Sequence, residues 1–465
     1  MRIQPLTATF TSIGNQAFLR SDVKYRYFWD VTRGEVVPNI GSISLREILS
    51  LVLKTILKKG DLQDDYFLLS IDLSESRDGQ LRNLPSVNRI GSDKLLLKDA
   101  DMIITKLGAT RGYVFDNTLK GKNLIGSTEL IPYKMIGDSY LPAFLKYLLL
   151  LPVYLNAFSY LESGKTPSHW RVAPLDLLRI KIPKVPLATQ CEVLSKIRAY
   201  QEKINKLNDS QTDATTLIDR VFADEFGYAP SVYQEKAKDH IYQKEFVALS
   251  RSFILRSSVK FQHPKYDYTD EILCRYPTVK LKTLCSQRIH RGVQPEYDSN
   301  GDILVVKTVN LKHGYLDFSE SAHVTQQFFE SNSEASVQKE DILISSTGEG
   351  RGKVDIYELE EPAIADSHIS IVRLKNNINP YYVLYFMHSL LGKLQLETLE
   401  MAIKGTPEIY AHQLEQMRII DLPPKRQHSI VEEIRKQLLE LQKQRTQVQR
   451  LRDQIDEIFM QTIVN

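Results

Sequence analysis

A segment of this chain returns almost intact 240 residues after its first appearance. Asp101 to Val114 reads DMIITKLGATRGYV and Asp341 to Val354 reads DILISSTGEGRGKV, with Asp, Ile, Gly, Arg, Gly and Val held in place. The likeness extends both ways. FLRSDVKY at Phe18 to Tyr25 returns as ILRSSVKF at Ile254 to Phe261, Thr166-Pro167 as Thr406-Pro407, and Ile182-Pro183 as Leu422-Pro423. Solenoids and propellers repeat every 20 to 50 residues or so, so a period this long describes a domain with its own core. One module is used twice, and the function must need two similar but non-identical surfaces.

Each copy divides into two parts. LLLKDADMIITK and VQKEDILISS are short β-rich runs closed by glycine turns, and DILVVKTVNLKHGYLDF reads as a hairpin-like pair around His313-Gly314. SYLPAFLKYLLLLPVYLNAF and INPYYVLYFMHSLLGKLQLETL carry the apolar spacing of buried helices, so a mixed α/β fold is expected. The second part is a long helix. After Pro186 the chain runs to Phe226, and after Pro424 to the C-terminus, without Gly or Pro. Ile434, Leu441, Val448 and Ile455 sit seven apart, with Leu438 and Phe459 alongside; Ile197, Ile204 and Ile218 repeat the pattern with Leu207, Ala214 and Val221, interrupted at Gln211. A helix of about 40 residues is roughly 60 Å long, too long and too polar for the core of one domain. The two helices are expected to pack on each other; the plainer alternative is that each closes its own domain. The expected boundaries are 1–184 for the first module, 185–226 for its helix, 227–244 for a linker, 245–422 for the second module and 423–465 for its helix.

Other function classes find little support. No stretch approaches 18 uncharged apolar residues, and the N-terminus lacks a continuous apolar run, so a cytoplasmic, membrane-free protein is expected. Cys191, Cys274 and Cys285 form no CxxC pair, and the ten histidines show no HxxxH or HxH spacing, which indicates no metal site. Gly164-Lys165-Thr166 lacks the upstream glycine of a P-loop. Asn379-Pro380-Tyr381-Tyr382 is better read as a helix start, Asn at the cap and Pro at the first position, than as a methyltransferase motif. No catalytic constellation is visible.

The turns LGATRG (Leu107 to Gly112) and TGEGRG (Thr347 to Gly352) follow strands directly. Their glycines permit positive φ, and Arg111 and Arg351 set a guanidinium beside backbone N–H groups, which suits either a phosphate contact or a β-turn whose Arg pairs with an acidic neighbour. Basic and hydrogen-bonding residues recur on neighbouring predicted loops. The candidate DNA-binding set is Lys106, Thr110, Arg111, Arg288, His290, Arg291, Lys307, Arg351 and His368.

Two tandem β-rich modules, each with a D-x-x-[IL]-x(3)-G-x(3)-G turn and each leading through P-x-x-x-Q (PLATQ from Pro186, and the shorter PKRQ from Pro424) into a long helix, resemble the specificity subunit of type I restriction-modification systems. The resemblance covers nearly the whole chain. It departs at Arg111 and Arg351, where that family's turn more often holds an apolar residue, and at Glu349. It implies two target-recognition domains, spaced by two helices that pair as an antiparallel coiled coil. It also implies a chain without catalysis or cofactor of its own. Such a chain reads an asymmetric bipartite target in double-stranded DNA and docks two methyltransferase subunits on its helices, with restriction/translocase subunits joining through the methyltransferase. The partners would use S-adenosylmethionine, ATP and Mg. The reading from another class is a duplicated protein-interaction scaffold without DNA binding.

Overall fold

The computed structural model describes residues 41–58, 66–69, 92–119, 122–164, 170–210, 212–239, 241–243, 259–312, 314–319, 321–348, 350–403 and 406–464. Phe18 to Tyr25, Thr166-Pro167, His313 and Glu349 fall outside them. The chain forms two compact units, Met1–Asp209 with Gln447–Asn465, and Ser210–Thr446.

In the first unit, strands β1 (Leu49–Leu51), β2 (Met102–Thr105), β3 (Val114–Asp116) and β4 (Leu130–Met135) make a sheet in the order β1-β4-β2-β3, antiparallel throughout. A second sheet pairs Tyr66–Leu69 with Asn123–Gly126 in parallel, and Lys94–Leu96 runs antiparallel beside the latter. Helices α1 (Pro142–Leu150) and α2 (Pro152–Leu161) cover the first sheet, with Phe144, Leu148 and Phe158 in the same core as Met102, Ile104 and Ile131. The apolar run was expected to be helical. Pro152 ends one helix and starts the next, and the two axes differ by 76°. No single helix among the described residues is long and apolar enough to cross a membrane.

The second unit repeats this plan. Strands β5 (His290–Arg291), β6 (Ile342–Ser345), β7 (Val354–Ile356) and β8 (Ile369–Val372) order as β5-β8-β6-β7. Ile303–Val306 pairs in parallel with Ala363–Ala365, which Ser336–Val337 joins antiparallel. Helices α3 (Pro380–His388) and α4 (Leu390–Leu399) stand where α1 and α2 stand in the first unit. Asn379 caps α3, accepting from the N–H groups of Tyr381 (3.0 Å) and Tyr382 (3.3 Å), with Pro380 at its first turn. The apolar run again divides, here at Ser389. The hairpin at 311–316 pairs Leu311 with Leu316. Asn310, buried, holds its base by donating to Asp317 O at 2.7 Å and accepting from Lys307 N at 2.8 Å.

The long helices follow the sequence in one copy and depart in the other. Helix α5 (Leu187–Ser210) stops, and α6 (Ala214–Phe226) begins anew, where one helix to Phe226 was expected. Asp213 caps the new start, its carboxylate accepting from Thr216 N at 2.9 Å. The polar stretch NDSQTD has no apolar face to carry the helix through, and its short side chains compete for the backbone. Helix α7 is continuous over Pro424–Val464. Its Val448, Leu451, Ile455 and Phe459 share the first unit's core with Ile197 and Ile204 of α5. Its Ile430, Val431 and Ile434 share the second unit's core with Ile218 and Phe222 of α6.

Each helix start is anchored by a buried glutamine. Gln190 donates to Ser139 O and Val185 O, both at 2.8 Å, and accepts from Leu141 N at 2.9 Å. Gln427 donates to Leu422 O at 2.8 Å. The P-x-x-x-Q pattern is therefore a device that ties each helix to the strand before it.

Candidate nucleic-acid interface

The repeated turn holds its first and last glycines alike in both units. Gly108 and Gly112 take φ of 61° and 80°, Gly348 and Gly352 of 77° and 78°, a region that a side chain rarely occupies. Arg111 N donates to Gly108 O at 3.0 Å, and Arg351 N to Gly348 O at 3.3 Å. Around the turn the hydrogen-bond frames also correspond. Lys106 N bonds Glu129 O and Val172 N bonds Lys106 O in the first unit; Ser346 N bonds His368 O and Ile409 N bonds Ser346 O in the second. Leu107 pairs with Arg171 as Thr347 pairs with Glu408. One frame thus carries Lys106, Glu129 and Arg171 in one copy and Ser346, His368 and Glu408 in the other.

The turn arginine faces a carboxylate in each copy. Arg351 lies against Glu400 at the end of α4, Nε to Oε1 at 3.1 Å and Nη2 to Oε2 at 3.2 Å, and Nη1 also donates to Gly348 O at 3.1 Å. Glu162, at the end of α2, faces Arg111 and the N–H groups of Ala109 and Thr110. Burial raises its carboxyl above the usual range, against the pull of those donors. Arg111 itself is exposed and Thr110 half-buried. Of the two readings left open, the acidic partner is what the second copy displays.

In the second unit one end of the sheets gathers Arg291, Lys307, Thr347, Arg351 and His368. Gly292 N bonds Ile369 O, and Asp366 N bonds Val306 O, so these chain segments run side by side. His368 Nδ1 lies 2.7 Å from Thr347 Oγ1, and its backbone N–H donates to Asp366. Arg291 is engaged: Nη2 donates to Glu408 at 3.2 Å and to Ile409 O at 3.1 Å, and its guanidinium lies 5.3 Å from the Tyr410 ring centre. Arg288 and His290 are not part of this group. Arg288 reaches toward Glu415 at 3.5 Å, and both ring nitrogens of His290 face carbonyl oxygens, of Arg288 and Glu334.

In the first unit Lys106 stands half-buried at the end of β2, its Nζ donating to Thr128 O at 2.8 Å. Burial, and then the neighbouring Lys54 ammonium, hold it below the usual lysine range. Glu129 takes a two-point contact from Arg171, Nε at 2.9 Å and Nη2 at 3.2 Å, which lowers its carboxyl. Sequence reasoning missed Lys54 and Arg171, and also Tyr297, Val309 and Tyr315, which are large apolar or aromatic side chains more than half exposed in the second unit. Pairing the strand after α2 with the repeated turn, rather than matching identical letters, would have set Arg171 opposite Glu408. Among the described residues no group of His, Cys, Asp or Glu is arranged to hold a metal ion.

No curated protein matches the sequence. Solved structures resemble the chain at low identity. A chain of a type I R-M system, solved in work on its complex assembly and conformational transition, is 14% identical with a TM-score of 0.42, covering 92% of this chain and 99% of that one. The HsdS subunit from Thermoanaerobacter tengcongensis is 15% identical at 0.33, and the type I restriction-modification S subunit from M. genitalium 13% at 0.39, each covering 92% of this chain and 97% of its own. Residues 277–449, most of the second unit and the first part of α7, match the type I restriction modification DNA specificity domain. The segment over 277–449 is thus similar to that DNA specificity domain.

Proposed function

We propose that the chain is the non-catalytic reader of a type I restriction-modification complex and recognises two different short DNA sequences, one with each module, separated by an unread spacer. The observation that carries this reading is the duplicated frame around the glycine turn with different side chains mounted on it. A shared backbone gives both modules the same way of meeting a duplex, and the exchange of Lys106, Glu129 and Arg171 for Ser346, His368 and Glu408 gives each a different chemistry. The family match of residues 277–449 supports DNA as the ligand of the second module, and the repeat extends it to the first.

The helices supply the spacing in this proposal. Two sites about one helical turn apart, roughly 34 to 36 Å, present one face of the duplex to a rigid reader. We assign α7, with α5 and α6, to an antiparallel strut that fixes this distance and offers its polar faces to two methyltransferase subunits, through which restriction/translocase subunits join. S-adenosylmethionine, ATP and Mg belong to those partners. The module limits 1–184 and 245–422 remain those read from the sequence. Sequencing the methylated bases in a host carrying the system tests the proposal: an asymmetric motif of two short halves around a fixed spacer is expected. A continuous or palindromic motif would overturn it. The scaffold alternative predicts no shift of duplex DNA in a gel, with or without the methyltransferase.

A further inference from the structure

We propose that Lys54, Lys106 and Arg171 form a phosphate seat in the first module, occupied by a backbone phosphate of duplex DNA, and that the second module has no counterpart. The inference rests on the DNA-reading function above and goes beyond it, because it places the ionic part of binding on one module.

Three cationic groups here surround one carboxylate. Glu129 accepts from Arg171 through both oxygens. Lys106 Nζ donates to a neutral carbonyl, Thr128 O, and the exposed Lys54 lies within interaction range of it. Val52 N bonds Pro132 O, which brings the chain leading to Lys54 alongside the strand from Glu129, and Glu129 O in turn holds Lys106 N; like charges gathered there repel, and an oxyanion between them would turn that repulsion into attraction. Lysine suits this as a compact point charge, while the Arg171 guanidinium, its side chain 42% exposed, offers a planar fork. The backbone of the seat is rigid, since Lys106 N and O are both bonded within the sheet frame.

The second module carries the same frame with no lysine at these positions. Ser346 stands for Lys106 and His368 for Glu129, and where Arg171 stands in the first copy the second has Glu408. The arginines nearby are matched by carboxylates, Arg291 by Glu408 and Arg351 by Glu400, as Arg171 is by Glu129, so the modules differ in the two lysines. Binding by this module should draw on hydrogen bonds and apolar contact more than on released counterions.

The test measures binding of the full chain, assembled with its methyltransferase subunits, to its target duplex across a salt series. Lys54→Gln with Lys106→Gln should flatten the slope of log K against log salt by about 0.9 for each phosphate that is no longer neutralised, whereas Arg291→Ala should leave the slope unchanged. Lys54→Arg with Lys106→Arg should retain the wild-type slope, which separates charge from misfolding. Inorganic phosphate should raise the melting temperature of the wild type and not of the double Gln variant. A double Gln variant with the wild-type slope would overturn the proposal, including where free phosphate still stabilises the protein. A wild type that binds no duplex at any salt would instead overturn the DNA-reading function itself.

Discussion

Asp341 shows how the repeated motif is enforced one residue at a time. It is 1% exposed, and Arg373 meets both its oxygens, Nε to Oδ1 at 2.8 Å and Nη2 to Oδ2 at 2.7 Å, while Gln338 N donates at 2.8 Å. In the first copy Asp101 likewise accepts from Met135 N at 2.8 Å. Its place in the sequence motif reflects folding rather than recognition. Arg373→Ala strands a buried carboxylate and should cost about 3 to 5 kcal/mol, read by urea denaturation; a loss under 1 kcal/mol would contradict the pairing. Glu162 gives a pH prediction. Its folded-state carboxyl titrates above the unfolded value, so the folded state binds the proton more tightly, and this contribution is present at low pH and is lost as pH rises through the raised value. Glu162→Gln should flatten that decline in stability on the alkaline side of the ordinary Glu range, seen in unfolding curves at a series of pH values. An unchanged pH profile would show that burial does not perturb this group. Lys106 and Arg111 were legible in the sequence because they lie inside the repeat. Arg171 was not, because the residue opposite it in the second copy is a glutamate and the offset there shifts by three residues.

Among the elements, the helix starts were legible and the helix break was not. Pro186 and Pro424 mark the starts, and the buried glutamines four and three residues on explain why the spacing matters. Gln190→Leu leaves a buried N–H and two carbonyls without their partner and should cost about 2 to 4 kcal/mol, against about 1 kcal/mol for Gln427→Leu, which loses one bond. Chemical denaturation of the two variants measures this, and equal losses would contradict the hydrogen-bond assignment. The heptad positions Ile197, Ile204, Ile218, Ile434, Leu441, Val448, Ile455 and Phe459 are buried, while Leu207, Ala214, Val221 and Leu438 beside them are half-buried, so periodicity identified the centre of each inward face. Absence of Gly and Pro did not guarantee continuity from Leu187 to Phe226. A run of Asn, Asp, Ser, Gln and Thr ends a helix without either, and Asp213 then restarts it. The short strands were legible as alternating or wholly apolar runs, but their order in the sheets was not, because pairings such as β2 with β4 depend on contacts distant in the chain.

On the scale of the whole molecule, the duplication was the most legible feature, because two copies constrain each other wherever a motif is weak in one. The proposed strut makes a geometric prediction. Four residues inserted within α5, ahead of its end at Ser210, add about one helical turn, roughly 6 Å, comparable to one or two base-pair steps of about 3.4 Å. The unread spacer in the methylated motif should lengthen accordingly with both halves unchanged, and a spacer of the original length in an active protein would show that other elements set the distance. The central claim is that each module reads its own half of the target. Replacing residues 1–184 with the matching part of a relative of different specificity, and sequencing the methylated bases, tests it most directly. One half of the motif should change to the relative's and the other should stay as it was; a motif altered in both halves, or in neither, would contradict two independent readers on one chain.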